Sequence, residues 1–416
     1  MSKAKWTILV YIAAHNNLQM QGNWSLEALQ DASKAPGSAK QVQLAMLYDT
    51  SDGATRFVPH LNIAETLTRK DFDSGNAGKL VEIAKWAFEK CPAERYGLVL
   101  WSHGTGWMPN DLKQLGAHVG SSEAKLRAGS TASPALFRQT LETMLNKPTF
   151  EARAICFDDG SQHSLDTIEL ADVTQKISTF LKQPLDLLGM DACLMASLEV
   201  AYQLRNSVRY IAASEELVPG TSWPYAEIMS KLQADADMDG AALSRLIVDE
   251  FYAHYKANRP PANSGDVTQV ALDLSAVDAV VKGIDTLAGA LLDHAKSARQ
   301  DLWTVQKQTR ETETLNGQRT PSKFAYHLWD IGSVCDVLAE TTKNAEVRAA
   351  ALLLQTQLKP GGFILREQHL GAWFERICGV SLYMAPPNLT RITEYYPTMA
   401  LAQDTRWNTW LQAYHG

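Results

Sequence analysis

Short apolar runs alternate with one-sided amphipathic stretches through the first half of the chain. Thr7–Ala13, Val42–Tyr48, Tyr96–Trp101, Leu185–Met190 and Tyr210–Ser214 read as strands. Between them, Gly78–Lys90 and Leu194–Leu204 carry helical spacing, the second with apolar residues at 194, 198, 201 and 204. Alternation of this kind predicts an α/β fold with a mostly parallel sheet covered on both faces. From residue 236 the pattern turns mainly helical, over 240–257, 276–298, 327–342 and 345–358. Strand-like pieces remain at Thr268–Leu274 and Gly379–Met384, and a last helix is expected near Thr405–Tyr414. The expected division is a core of residues 1–235 and a C-terminal region of residues 236–416. Inside the core, residues 111–153 form an insertion. Its Leu115–Ser133 part is rich in Gly, Ser and Ala and reads as an exposed loop. Ser133-Pro134 then reads as N-cap and first residue of a helix that stops near Asn146-Lys147-Pro148. The chain shows no internal repeat and no low-complexity tract.

Composition narrows the class. The 416 residues are 45% hydrophobic and 20% charged, an ordinary globular balance. A net charge of −7 without a basic stripe argues against a nucleic-acid partner. No apolar stretch approaches the ~18 residues that span a bilayer, which argues against a membrane partner. Met1-Ser-Lys-Ala-Lys-Trp6 runs straight into the first strand and then His15-Asn16-Asn17, without a small-residue cleavage site. A cytoplasmic protein is therefore expected, or a secreted one if a leader has been removed. The five cysteines (91, 156, 193, 335 and 378) form no Cys-x-x-Cys pair, which fits a reducing compartment.

The chemistry gathers where strands end. In open parallel sheets reactive groups collect beyond the carboxyl ends of strands. His103, Cys193 and Ser214-Glu215-Glu216 all fall there. Cys193 follows an apolar strand at the expected start of a helix, where unpaired N–H groups and the macrodipole favour the thiolate. A buried core cysteine is the common alternative, but this junction and a nearby loop histidine favour a nucleophile. That histidine, His103, lies in Ser102-His-Gly-Thr-Gly106, whose glycines let backbone approach a ligand closely. The amides of Gly104 and Cys193 are the expected oxyanion donors. Asp191 has two readings, a helix N-cap or a carboxylate that binds an arginine or lysine of a substrate. Glu215 is a candidate substrate contact beside Glu216, with a solvated acidic pair as the plain alternative. Asp158-Asp159 reads either as oxygen ligands for a hard cation or as ordinary turn acids. A dinucleotide fingerprint, a phosphate loop, His-Glu-x-x-His, Gly-x-Ser-x-Gly and a zinc cluster are all missing, so no cofactor is required for the chemistry and no metal residue is assigned.

At these residues the chain resembles the clostripain family of cysteine peptidases, which have a caspase-like αβα sandwich. The resemblance rests on Trp6-Thr-Ile-Leu-Val-Tyr11 with Asn16-Asn-Leu18, Leu100-Trp-Ser-His-Gly-Thr-Gly-Trp107 and Ala154-Ile-Cys-Phe-Asp-Asp159. It continues through Leu188-Gly-Met-Asp-Ala-Cys-Leu-Met195, Ala213-Ser-Glu-Glu216, Trp223-Pro-Tyr225 and Gly379-Val-Ser-Leu-Tyr383. It implies a His103–Cys193 dyad, cleavage of proteins or peptides after arginine or lysine with Asp191 holding that side chain, and in some members calcium. It also implies self-cleavage between the dyad residues, for which Lys125 and Arg127 are the candidates in the exposed loop. His15 stands where relatives usually have aspartate. A second reading is an intracellular effector protease kept silent until a ligand or partner arrives, in stress or antiviral signalling.

Overall fold

The computed structural model describes residues 3–34, 40–68, 72–107, 155–258, 267–308, 327–371, 374, 376–384 and 395–415. The chain begins with β1 (Ala4–Ala13), α1 (Gln19–Ser33), β2 (Val42–Thr50), β3 (Gly53–Val58), β4 (Ile63–Leu67), α2 (Ala77–Lys90) and β5 (Ala93–Trp101). Next come β6 (Ile155–Asp158), β7 (His163–Leu165), α3 (Thr167–Leu181), β8 (Leu185–Asp191), α4 (Leu198–Leu204) and β9 (Val208–Ala213). They are followed by α5 (Tyr225–Ala234), α6 (Gly240–Ala257), β10 (Val267–Asp273), α7 (Val277–Asp293) and α8 (Ala295–Gln308). The last elements are β11 (Leu328–Asp330), α9 (Ile331–Thr341), α10 (Ala345–Gln357), β12 (Ile364–Leu370), β13 (Ser381–Tyr383), α11 (Ala400–Asp404) and α12 (Trp407–His415).

Nine strands form one sheet in the order β12-β10-β9-β8-β5-β1-β2-β3-β4. The central five, β9 to β2, are parallel, and antiparallel strands extend both edges. These five are the strands expected from the apolar runs. Every residue of β8 and all but one of β1 are buried, as strands covered on both faces must be. Strand order reverses direction at β1, so right-handed crossovers put α1 on one face and α2, α3 and α4 on the other. Accordingly α1 packs on α5, while α2 packs on α3 and α3 on α4. Side chains cap several of the helix starts, including a full capping box between Asp166 and Glu169 on α3.

The sheet runs on past residue 235, because β10 pairs with β9 and β12 with β10. Beyond it, α7, α9 and α10 pack together. The short strand β13 pairs with β11 instead of joining the main sheet. It also braces the turn after β8: Ser381 N–H donates to the carbonyl of Ala196 at 2.9 Å, and Tyr383 N–H to Glu199 at 2.9 Å.

Three expectations need correction. The helix after Cys193 starts at Leu198, because Leu194 has φ 65° and the Ser197 side chain caps the helix by accepting from Val200 N–H. The helical stretch 276–298 divides at His294, whose φ of −122° ends α7 before α8 begins. The stretch 327–342 opens with β11 before α9. The expected loop and helix of the insertion, with Lys125 and Arg127, lie outside the described residues. Among the described residues, no helix is long and apolar enough to cross a membrane.

Candidate active site

Strands β5 and β8 are parallel neighbours, with Trp101 paired to Asp191. His103 and Cys193 each lie two residues beyond that pair, so they leave the sheet at the same level on adjacent strand ends. The turns are in backbone contact. A Cβ on Gly104 would lie 2.4 Å from the Cys193 carbonyl oxygen and 3.1 Å from its nitrogen, so only glycine lets the strands approach this closely. His103 is 2% exposed and Cys193 fully buried.

The Cys193 thiol sits in a sharp turn five residues ahead of α4, not on a helix tip. The Val218 amide donates to its sulfur, 3.3 Å from Sγ. An N–H aimed at sulfur favours the thiolate, as the macrodipole was expected to do. Val218 was missed because its loop carries no local signal of where it folds back.

Asn17, just after β1, places its Oδ1 2.6 Å from His103 Nε2. An amide oxygen only accepts, so the ring proton resides on Nε2 and Nδ1 carries the lone pair. Burial pushes the His103 pKa down to about 3, so the ring is neutral at ordinary pH. The Phe157 ring meets it edge-on at 6.0 Å. After His103 the loop reaches Trp107, which packs edge-on against Tyr383 and Tyr396 of the C-terminal region at 4.8 and 4.9 Å.

Asp191 is not a helix N-cap. Its Oδ2 accepts from Ser222 Oγ, from Trp223 N–H at 3.2 Å and from Tyr225 O–H at 2.8 Å. Its Oδ1 is buried with no hydrogen-bond partner. Burial pushes this carboxyl up to about 6 against those three donors. Ser222 also accepts from Trp101 Nε1 at 2.7 Å, which joins the strand pair to the carboxylate.

Glu215 has a different neighbour from the one expected. It is 1% exposed, and burial together with the carboxylates of Asp330, Glu216 and Glu367 pushes its carboxyl far up. Its side chain hydrogen-bonds Asp330. Asp330 accepts from the amides of Ser333, Cys378 and Gly379 at 2.7, 2.8 and 3.0 Å. Glu216 is also buried, and its carbonyl accepts from Leu194 N–H at 3.1 Å, fixing the turn behind the thiol.

The clostripain family model matches residues 10–118 and 142–412. The chain belongs to the clostripain family. Clostripain from Hathewaya histolytica is 26% identical over 170 residues, a match that spans 35% of this chain and 32% of that protein's length. A secreted C11 cysteine protease from Bacteroides thetaiotaomicron, in complex with an irreversible peptide inhibitor, superposes with TM-score 0.63 at 17% identity, covering 98% of this chain and 99% of that one. An inactive zymogen C11 protease from Parabacteroides distasonis superposes with TM-score 0.66 at 19% identity, covering 97% and 99%. At such identities these two structures speak for the fold, the caspase-like sandwich of the clostripain family.

Calcium, implied by resemblance to some clostripain-family members, finds a poor match. Among the described residues, the side chains with ligand spacing are His15, Asp49 and Asp158. Calcium takes six to eight oxygen ligands. Here only three side chains have ligand spacing, and one of them is an imidazole, a nitrogen ligand. These residues do not suit that ion.

Proposed function

We propose that the protein is a cysteine endopeptidase that cleaves after arginine or lysine, with Cys193 as nucleophile and His103 as acid and base. The observation that carries this reading is the strand register, which sets both residues at one level on adjacent strand ends.

In the proposed mechanism, His103 Nδ1 takes the thiol proton while Nε2–H stays on Asn17. Sulfur bonds to the scissile carbonyl carbon, and the carbonyl electron pair moves onto oxygen, held by the amides of Gly104 and Cys193. Collapse breaks the C–N bond as His103 gives its proton to the departing amine. His103 then takes a proton from water, which adds to the acyl carbon and releases the thiolate. The partnerless Oδ1 of Asp191 supports the basic specificity, since an orphaned carboxylate oxygen is satisfied by the cationic end of an arginine or lysine. Burial of both Cys193 and His103 supports a latent form opened by self-cleavage within residues 111–153.

A positional peptide library on wild type, Cys193→Ala and His103→Ala tests the reading. Cleavage after arginine and lysine should vanish in both variants. Persistent turnover by Cys193→Ala, or an acidic or apolar first-site preference, overturns it. Mass spectrometry of wild type against Cys193→Ala tests self-cleavage: a wild-type chain that stays intact at full activity removes it.

A further inference from the structure

We propose that His15, Asp49 and Asp158 form a binding site for one transition-metal dication of the zinc type. The ligand atoms of these side chains all lie within 4.8 Å of one another, and His15 Nδ1 is 2.7 Å from Asp158 Oδ1. Zinc bonds of about 2.1 Å in a tetrahedron set ligand atoms about 3.4 Å apart, so shifts of order 1 Å complete the site. The ligands come from three separate strands: His15 two residues past β1, Asp49 in β2 and Asp158 at the end of β6. Ala14 N–H donates to the Asp49 carbonyl at 2.9 Å, which ties the first two together.

The outer shell is already built. Asp158 Oδ1 accepts from the amides of Gly160 and Ser161 at 2.9 and 3.1 Å, and Oδ2 from Ser74 N–H at 3.1 Å. These bonds aim the carboxylate, as partners of metal ligands do. The His15 backbone is held too, its carbonyl accepting from Asp159 N–H at 2.8 Å. Its ring lies over Gly160, where a Cβ would come within 1.9 Å of Cε1, so a glycine makes room for the imidazole.

Charge selects the occupant. Asp49 and Asp158 are both fully buried. A third acid, Asp73, joins the same network through Ser161 Oγ at 2.8 Å. Buried carboxylates call for compensating positive charge. An imidazole nitrogen among carboxylates selects zinc or cobalt over calcium or magnesium. The His15 side chain is 16% exposed, which gives an ion an entry path.

The site shares its strand ends with the groups around His103. Asn16 Nδ2 donates to the Phe157 carbonyl at 2.8 Å, one residue before Asp158. Asn17, two residues past His15, holds His103. An ion there stiffens this turn. Only that coupling to turnover rests on the peptidase reading; the binding does not.

The test uses the full chain as Cys193→Ala, which removes the proposed nucleophile as a competing ligand, and dialysed against chelator. Titration with Zn2+ alone should show one equivalent, raise Tm, and remain unchanged in equal Ca2+. Co2+ should give the visible spectrum of a nitrogen–oxygen site without a thiolate band. His15→Ala and the isosteric Asp49→Asn should each weaken Zn2+ about a hundredfold, with circular dichroism showing a folded chain. His163→Ala, which alters the nearby Asp73–His163 pair, should leave binding intact. Absence of a tight equivalent in folded protein, unchanged affinity in His15→Ala, or displacement by Ca2+ overturns the proposal. If His15→Ala unfolds, His15→Gln replaces it and must show the same loss.

Discussion

Asp191 and Asp330 are the same residue at the same kind of place, a buried strand end, and each is held by at least three hydrogen bonds. They differ in how those bonds are shared. Asp330 takes one backbone amide on Oδ1 and two on Oδ2, and hydrogen-bonds the Glu215 side chain as well. Asp191 takes all three on Oδ2 and none on Oδ1. The carboxylate of Asp330 is an internal fastening between α9, the Cys378-Gly379 turn and the turn carrying Glu215. The one-sided carboxylate of Asp191, two residues before the proposed nucleophile, is on the proposed reading half of an interaction that a substrate completes. Burial alone does not separate the two, and neither does the direction of the pKa shift, since both are raised.

The largest effect should come from cutting the saturated acid. Asp330→Ala leaves three buried amides without an acceptor and should lower unfolding free energy by about 3–5 kcal/mol. Urea denaturation measures it. A loss below about 1 kcal/mol would erase the distinction drawn here.

Asp191→Asn should show the opposite profile, a loss of function in a chain at least as stable as wild type. Removing one partner of a buried charge pair costs about 2–4 kcal/mol, so kcat/KM for arginine and lysine substrates should fall about 30- to 1000-fold. The sign with pH follows from the raised carboxyl. Its folded pKa of about 6 lies above the ordinary value of 3.8, so its stabilising contribution is fully present below 3.8 and lost as pH rises through about 6. The proposed binding of a basic side chain needs the opposite, charged form. Thus kcat/KM for basic substrates should fall as pH drops through about 6, while the protein gains stability over the same window. His103, already neutral down to about 3, does not supply that limb. A pH profile unchanged in Asp191→Asn would remove the substrate role.

Much of this was legible in the chain, and the limits are physical. The five parallel strands showed because both of their faces are buried, which forces continuous apolar runs. The polar edge strand β12, Ile364-Leu-Arg-Glu-Gln-His-Leu370, did not, because an edge tolerates and even needs charge. His103, Gly104, Cys193 and Asp191 stood out because strand ends concentrate chemistry. The partners that decide their behaviour did not stand out. Ser222 and Val218 reach the site from a distant loop, Asn17 and Tyr225 stood only in quoted motifs without a role, and only folding shows that Val218 offers an amide to sulfur. The same blindness let Asp191 read equally as a helix cap and Glu215 and Glu216 as a solvated pair, when both are buried. A helix drawn four residues too early was the cost of overlooking how Leu194, at φ 65°, interrupts the backbone.

The smallest effect should come from that backbone donor. Val218→Pro removes one N–H from the Cys193 sulfur and leaves Asp191 and its three donors in place. A single hydrogen bond to a charged group contributes about 1.5 kcal/mol, so kcat/KM should fall about tenfold. The rate of thiol alkylation at fixed pH should fall with it, because fewer molecules carry thiolate. Val218→Ala keeps the amide and should stay within about twofold of wild type. Tm separates this local change from a distorted loop. If proline lowers turnover without slowing alkylation, the amide orients the loop instead of stabilising sulfur. The contrast between a saturated scaffold and an open site would then stop at the carboxylates and not extend to the thiol.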